Sequence, residues 1–325
     1  MKVLVTGGNG FIGSHLVEAL IAKGFSVTCI IKEGEDLKWI KGLDMKVVYG
    51  DVTRKSTLGE VLNGYDCIYH LAAVLAAKKQ QDYFRVNYEG SRNIIDLIVE
   101  NKIKIKRFIF ISSIAAGGPT NAVGKLDEYS PANPISDYGR SKLAVERYLE
   151  SLSELIPWTI LRLPVMYGPR DTGALFNYFK FINRGIKPLL GRGESNICYV
   201  KDAVRAMLSA AESEKAAGRK YLVAQKGLVA REEIALYIQR VMNKKVITIR
   251  IPLFLLLASI PVFSLISFIT GRPPVFNIRN YNDLKYCHWR YSTKNIENEL
   301  GFEARFKLAA GLLETYSWYK DNGLL

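Results

Sequence analysis

Three residues carry the most pointed chemistry in this sequence: Ser113, closing "RFIFISS", and the pair Tyr138 and Lys142 inside "SDYGRSK". Four apart on a helix, Tyr138 and Lys142 share one face. A free tyrosine titrates near 10, about three pKa units too high for a base at neutral pH. A neighbouring ammonium favours the phenolate, and closing that gap takes roughly 4 kcal/mol, which demands a partly desolvated site. The Ser113 hydroxyl would hydrogen-bond a substrate oxygen and hold it against Tyr138. Such a trio moves a proton on and off an oxygen. Taken alone, a Tyr-x-x-x-Lys pair more often means a packed tyrosine beside a solvated lysine.

A second group sits at the other end of the chain's first half. "TGGNGFIG", Thr6 to Gly13, follows the apolar run Val3-Leu4-Val5 and precedes apolar residues at helical spacing that stop at Gly24. This is the pattern of a buried strand, a glycine turn and a helix. Gly7, Gly10 and Gly13 recur every three residues, which lets backbone approach a pyrophosphate where helix N–H groups and the helix dipole favour an anion. Glycine spacing by itself is weak, but its strand-to-helix context points to a dinucleotide. The positive charge of an oxidised nicotinamide would also help hold Tyr138 as phenolate.

Strand and helix patterns alternate through the segments that position these groups. "FSVTCII" (25–31), "MKVVYGD" (45–51), "YDCIYHLAA" (65–73), "RFIFISS" (107–113) and "WTILRL" (158–163) read as strands. Helices are expected through "KSTLGEVLNG", over 81–102 and over 136–154. The alternation implies an α/β fold, a Rossmann-type doubly wound parallel sheet whose ligands bind beyond the carboxyl ends of the strands. Gly7, Asp51, Ala72 and Ser113 all fall at such ends. The boundaries expected are a dinucleotide-binding domain over 1–163 with a return segment near 196–225, and a smaller substrate lobe from 164–195 and 226–325.

With 325 residues, 49% of them hydrophobic, the chain can bury a large core. Met1-Lys2 leads straight into the first strand, so no signal peptide is expected. Cys29, Cys67, Cys198 and Cys287 have neither metal-ligand nor disulfide spacing, which suggests no metal site and a reducing cytoplasm. The net charge of +14 is spread along the chain without a nucleic-acid-binding motif, so a solvated basic surface is expected rather than a nucleic-acid partner. Attraction to an anionic membrane is the second reading.

Taken together, TGGNGFIG, Asp51, "HLAA" (70–73), "VNYEGSRNII" (86–95), Ser113, Tyr138 with Lys142, and "LRLPVMYGPRD" (161–171) resemble the extended short-chain dehydrogenase/reductase family, also called the NAD-dependent epimerase/dehydratase family. The resemblance covers the full length. It implies that Tyr138 is the general acid/base, that Lys142 lowers its pKa and binds the nicotinamide ribose, and that Ser113 polarises the substrate oxygen. It further implies cofactor contacts from Gly7, Gly10, Phe11, Ile12 and Gly13, from Asp51 and Val52, from Leu71, Ala72 and Ala73, and from Pro164 and Val165. Asn87 is open between cofactor contact and structural service. Strand two ends Ile31-Lys32 without the acid that would bind an NAD ribose. Lys32 therefore suits a 2′-phosphate, favouring NADP(H) over NAD(H), unless it only faces solvent.

"LRLPVMYG" and Asn196-Ile197-Cys198 depart from the nucleotide-sugar epimerase pattern. With "GRPP" (271–274) and "STKNIENELGFEARF" (292–306), they look like the 3β-hydroxysteroid dehydrogenase and dihydroflavonol reductase branch. A hydride-transferring oxidoreductase on a hydrophobic ketone or secondary alcohol is therefore expected. A nucleotide-sugar 4-epimerase or dehydratase and a non-catalytic dinucleotide sensor or assembly factor are the alternatives. Residues 251–271 carry no charge. They read as a buried or mouth-lining helix pair broken near Pro261, or as a monotopic patch flanked by Arg250 and Arg272, with a true span least favoured. Both leading readings suit an apolar substrate. Tyr83, Phe84 and Tyr148 would serve a homodimer contact or face the sheet.

Overall fold

In the computed structural model, residues 1–77, 79–120, 124–271, 274, 276–286 and 288–325 are described, with the backbone alone for 174, 279 and 283. Arg272, Pro273 and Cys287, named above, lie outside the described residues. Six early strands, β1 (Lys2–Thr6), β2 (Ser26–Ile31), β3 (Lys46–Tyr49), β4 (Cys67–His70), β5 (Arg107–Ser113) and β6 (Trp158–Leu163), join a seventh at Arg219–Leu222. All pair in parallel. The spatial order runs from the seventh strand through β6, β5, β4, β1 and β2 to β3, so the winding reverses between β4 and β1. That reversal is where an open α/β sheet leaves a crevice for a ligand.

Alternation along each strand divides the core into two layers. Val3 and Val5 face Leu16 and Leu20 of helix α1 (Phe11–Ala22) and Met207 of the helix Val200–Glu212. Leu4 and Phe108 face the opposite way, toward Ile94 and Ile98 of Gly90–Glu100 and Val145 and Leu149 of Asp137–Glu150. Burial on both faces explains why these strands read as apolar runs.

Two expected elements differ. The stretch 55–64 forms only a single 3-10 turn at Lys55–Thr57, because Gly59 and the left-handed Gly64 interrupt it. The long helix near 81–102 contains a π-helical segment, Phe84–Glu89, between Gln80–Tyr83 and Gly90–Glu100. Tyr83 is buried, and its ring lies edge-on to Tyr138 at 6.4 Å.

A smaller body packs aromatic and aliphatic side chains, among them Phe179, Ile238, Leu312 and Tyr319. The buried Asp202 pins it to the sheet layer: its carboxylate accepts from the backbone N–H of Arg305 and Phe306 at 3.0 Å each. His15 of α1 also bonds the Pro169 carbonyl at 2.9 Å. Cys29, Cys67 and Cys198 are buried free thiols.

The apolar stretch 251–271 is not a buried helix pair. Leu253–Thr270 is one helix with Pro261 inside it, and of its side chains only Ser267 is buried. A proline removes one ladder hydrogen bond, which distorts a helix without obliging it to turn.

Candidate active site

The carboxyl edge of the sheet gathers the residues singled out by sequence. Thr6 pairs with His70, His70 with Phe110, and Ser113 with Leu163. Gly7, Leu71 and Pro164 are thus the first residues beyond adjoining strands.

The glycine turn is sterically committed. Gly7 has a φ of +70° and sits so close to the next strand's loop that a Cβ there would lie 2.8 Å from the Ala72 nitrogen. A Cβ on Gly13 would lie 2.0 Å from the Gly7 oxygen, an impossible contact. Gly10 caps α1 with no side-chain hydrogen bond, leaving the first-turn N–H groups of Phe11, Ile12 and Gly13 at an uncapped helix start. Close backbone approach with donors at a dipole's positive end fits a pyrophosphate.

Beside the turn, Leu71, Ala72 and Ala73 are partly exposed. Their loop is fixed from below. The Ala72 N–H donates to Thr6 Oγ1 at 3.2 Å, and Asn87 clasps Val74 from both sides, accepting from its N–H at 2.8 Å and donating to its carbonyl at 3.2 Å. The Asn87 amide also donates to Ser141 Oγ at 3.1 Å, in the helix carrying Tyr138. With no exposed surface, Asn87 fastens loop to helix and presents no atom to a ligand. Of the two readings left open above, this is the structural one.

At the far rim, Lys32 Nζ lies 3.3 Å from Asp51 Oδ2. Partial burial pushes the Asp51 carboxyl up, but Thr53, donating through both N–H and hydroxyl, and Lys32 together hold it below its usual range. Val52, also expected near the cofactor, is nearly covered by the helix Gly90–Glu100.

Ser113 ends β5 and caps the short helix Ile114–Gly117, its Oγ accepting from the Ala115 N–H at 3.2 Å. The helix of Tyr138 packs directly on this turn. Only glycine fits at 139, since a Cβ would meet the Ala115 oxygen at 2.2 Å. Tyr138 is 6% exposed and Lys142 3%. Lys142 Nζ donates to the Ile111 carbonyl at 2.8 Å and lies over the Phe110 ring at 4.7 Å. Burial pushes its ammonium down to about 7, against the opposing pull of Glu146. On the other side of the site Pro164 is buried and Val165 is 39% exposed.

Several supporting residues were given no role by the sequence, though His70 and Arg162 lie inside motifs quoted above. His70 is wholly buried, with Nδ1 2.6 Å from Thr6 Oγ1 and Nε2 2.8 Å from Ser91 Oγ. Burial, then the Lys142 charge, drives it down to about 3, so it is neutral. Glu146, one turn beyond Lys142, is buried and receives Arg162 Nη2 at 2.6 Å and the Ser112 hydroxyl, clamping the helix to β5 and β6. Tyr291 Oη donates to the Ile114 carbonyl at 3.1 Å and to that of Gly118, bracing the loop behind Ser113. Among the described residues, no three His, Cys, Asp or Glu side chains gather as metal ligands.

A doubly wound sheet with a glycine turn at its switch point and a serine, tyrosine and lysine at the same carboxyl edge defines a dinucleotide-dependent class of enzyme. The model of the NAD dependent epimerase/dehydratase family matches residues 3–224, and the chain belongs to that family, an enzyme of the extended short-chain dehydrogenase/reductase type. It is 26% identical, over 98% of its length and 95% of the relative's, to the N-acetyl-alpha-D-glucosaminyl-diphospho-ditrans,octacis-undecaprenol 4-epimerase of Escherichia coli O157:H7. It is 25% identical to the ceramide reductase of Caulobacter vibrioides, over 99% of this chain and 96% of that one. The fold matches that of Thermotoga maritima UDP-glucose 4-epimerase with a TM-score of 0.81 at 22% identity, covering 99% of both chains.

Proposed function

We propose that the protein is an NAD(P)-dependent oxidoreductase that interconverts a ketone and a secondary alcohol on a hydrophobic, sterol-like or long-chain substrate. The observation behind the reaction is the common carboxyl edge of the sheet: Ser113 at the end of β5, Tyr138 and Lys142 on the helix packed against the Ser113 turn, and the glycine turn two strands away. When bound, the nicotinamide dinucleotide supplies or accepts the hydride. Gly7, Gly10 and Gly13 hold its pyrophosphate at the start of α1, and Ala72 and Ala73 line its path. Tyr138 gives the proton to the substrate oxygen during reduction and takes it during oxidation. The Ser113 hydroxyl, a weak acceptor toward Ala115, has its own proton to donate to the same oxygen. Lys142, in its ammonium form, favours the phenolate.

Lys32, 61% exposed at the end of a strand that lacks an acid, supports a 2′-phosphate and hence NADP(H). The substrate class is supported by two relatives that span nearly the whole chain, whose names specify an undecaprenol-linked sugar and a ceramide. A second reading, epimerisation of a sugar with no net change in cofactor, is favoured by the first of those names. Mass spectrometry of reactions with NADPH or NADH separates them. Stoichiometric cofactor use with long-chain ketones or sterols supports the oxidoreductase, whereas interconversion of UDP- or dTDP-sugars without cofactor consumption overturns it. Tyr138→Phe is expected to abolish turnover while leaving dinucleotide affinity nearly unchanged. If that variant keeps the biological function, the protein is a sensor and not a catalyst.

A further inference from the structure

We propose that Leu253–Thr270 is a monotopic membrane anchor that lies in the surface of an anionic lipid bilayer. The helix is apolar on every side, with a mean hydropathy of 2.3 and 6% of its residues buried. Phe254, Phe268 and Ile269 are 68%, 86% and 73% exposed, and the adjoining strand adds the exposed Ile247 and Ile249. A helix apolar all round needs a covering protein or lipid. Two of its four hydroxyls are already spent on its own backbone: Ser259 donates to the Leu256 carbonyl at 2.7 Å and Thr270 to that of Ile266 at 2.8 Å. That is how polar side chains tolerate lipid.

Charge selects the occupant. From Arg240 to Lys285 the sequence has seven basic residues and one acidic, Asp283. Lys244, Lys245, Arg250 and Lys285 are exposed around the apolar patch. A basic rim about an apolar face suits anionic headgroups above acyl chains, whereas a second copy would set like charges against like.

Connectivity selects the pose. At about 1.5 Å per residue the helix is roughly 27 Å long, enough to cross a hydrocarbon core. However, the strand before it pairs Ile251 with Leu190, and the strand after it pairs His288 with Glu194. The chain therefore leaves and rejoins one body at points four residues apart, and a single crossing would put His288 on the wrong side. Pro261 also leaves a carbonyl of the preceding turn without its ladder donor, which headgroups and water satisfy readily near the surface. Docking in this pose is independent of the reaction proposed above.

Flotation of the full-length protein with vesicles tests this. The protein should float with phosphatidylcholine vesicles containing phosphatidylglycerol, and less with phosphatidylcholine alone or in high salt. A Phe254→Glu, Phe268→Glu variant should lose about tenfold or more in vesicle partitioning, while its circular dichroism and dinucleotide affinity stay unchanged. Tryptophan placed by Phe268→Trp should be quenched most by lipids brominated near the headgroup end of the chain. Three results would each overturn the proposal: no flotation with either vesicle, quenching strongest at the bilayer centre, or a stable dimer that the double variant splits.

Discussion

Lys142 is the costliest residue at the site. Its ammonium is buried against the Phe110 ring, with the Ile111 carbonyl as a hydrogen-bond acceptor, and is held down to about 7. Between pH 7 and 10.5 the unfolded chain binds the proton that the folded chain has lost, so stability rises with pH across that window. The penalty is full below pH 7. Lys142→Met should therefore stabilise the fold at pH 6 by on the order of 2 kcal/mol, after subtracting the lost hydrogen bond, and slightly destabilise it above pH 10.5, where only that loss remains. Urea unfolding at both ends of the range would check this, and a destabilised variant at pH 6 would contradict it. His70 gives the opposite limb. With its folded value near 3, the unfolded state takes up a proton first as pH falls below 6.5, and stability drains by up to about 1.4 kcal/mol per pH unit down to pH 3. His15, also lowered by burial, adds to that slope with the same sign. His70→Gln should flatten the acid limb measured by urea unfolding between pH 6.5 and 4.5. The reactive residues were legible in the sequence because proton transfer restricts the residue types and the helix fixes their spacing. His70 and Arg162 fell inside quoted motifs but, like Glu146, were given no role, since one histidine or one ion pair among many charges has no spacing to betray it.

At the scale of elements, the glycines mark where backbones touch. Sequence spacing identified those that shape the first turn, because strand and helix patterns frame them. Gly139 looked like an ordinary helix residue, yet it sets how closely the Tyr138 helix approaches the Ser113 turn. Gly139→Ala should push the two apart, lowering kcat by at least about tenfold, since small misplacements of reacting groups are costly. Dinucleotide affinity should suffer much less, as the turn at Gly7 lies on another strand. Equal losses in both, measured by steady-state kinetics and cofactor titration, would count against a local displacement. Six of the seven strands were readable, the central ones because they are buried on both faces; the edge strand Arg219–Leu222, half-buried, was not read as a strand. The π-helical segment at Phe84–Glu89 and the collapse of 55–64 to a single turn were hidden, because each depends on tertiary contacts and on local glycine geometry.

Seen as a whole molecule, the protein joins a sheet layer to a smaller body through buried ties that include Asp202 to the 305–306 backbone and His15 to Pro169. Apolar periodicity gave no means of telling that 251–271 would lie outside both cores, because a buried helix and a lipid-facing one have the same composition. Its two attachment points, Leu190 and Glu194, are separated by at most about 14 Å of extended chain. Replacing residues 252–287 by a linker of about five glycines and serines should therefore leave a folded protein that binds a dinucleotide with unchanged affinity, as cofactor titration and thermal melting would report. Loss of folding would mean that the segment belongs to the core. A portion of chain that departs and returns at nearly one spot is portable. Such a loop can be lengthened or trimmed without rewriting the strands on either side of it.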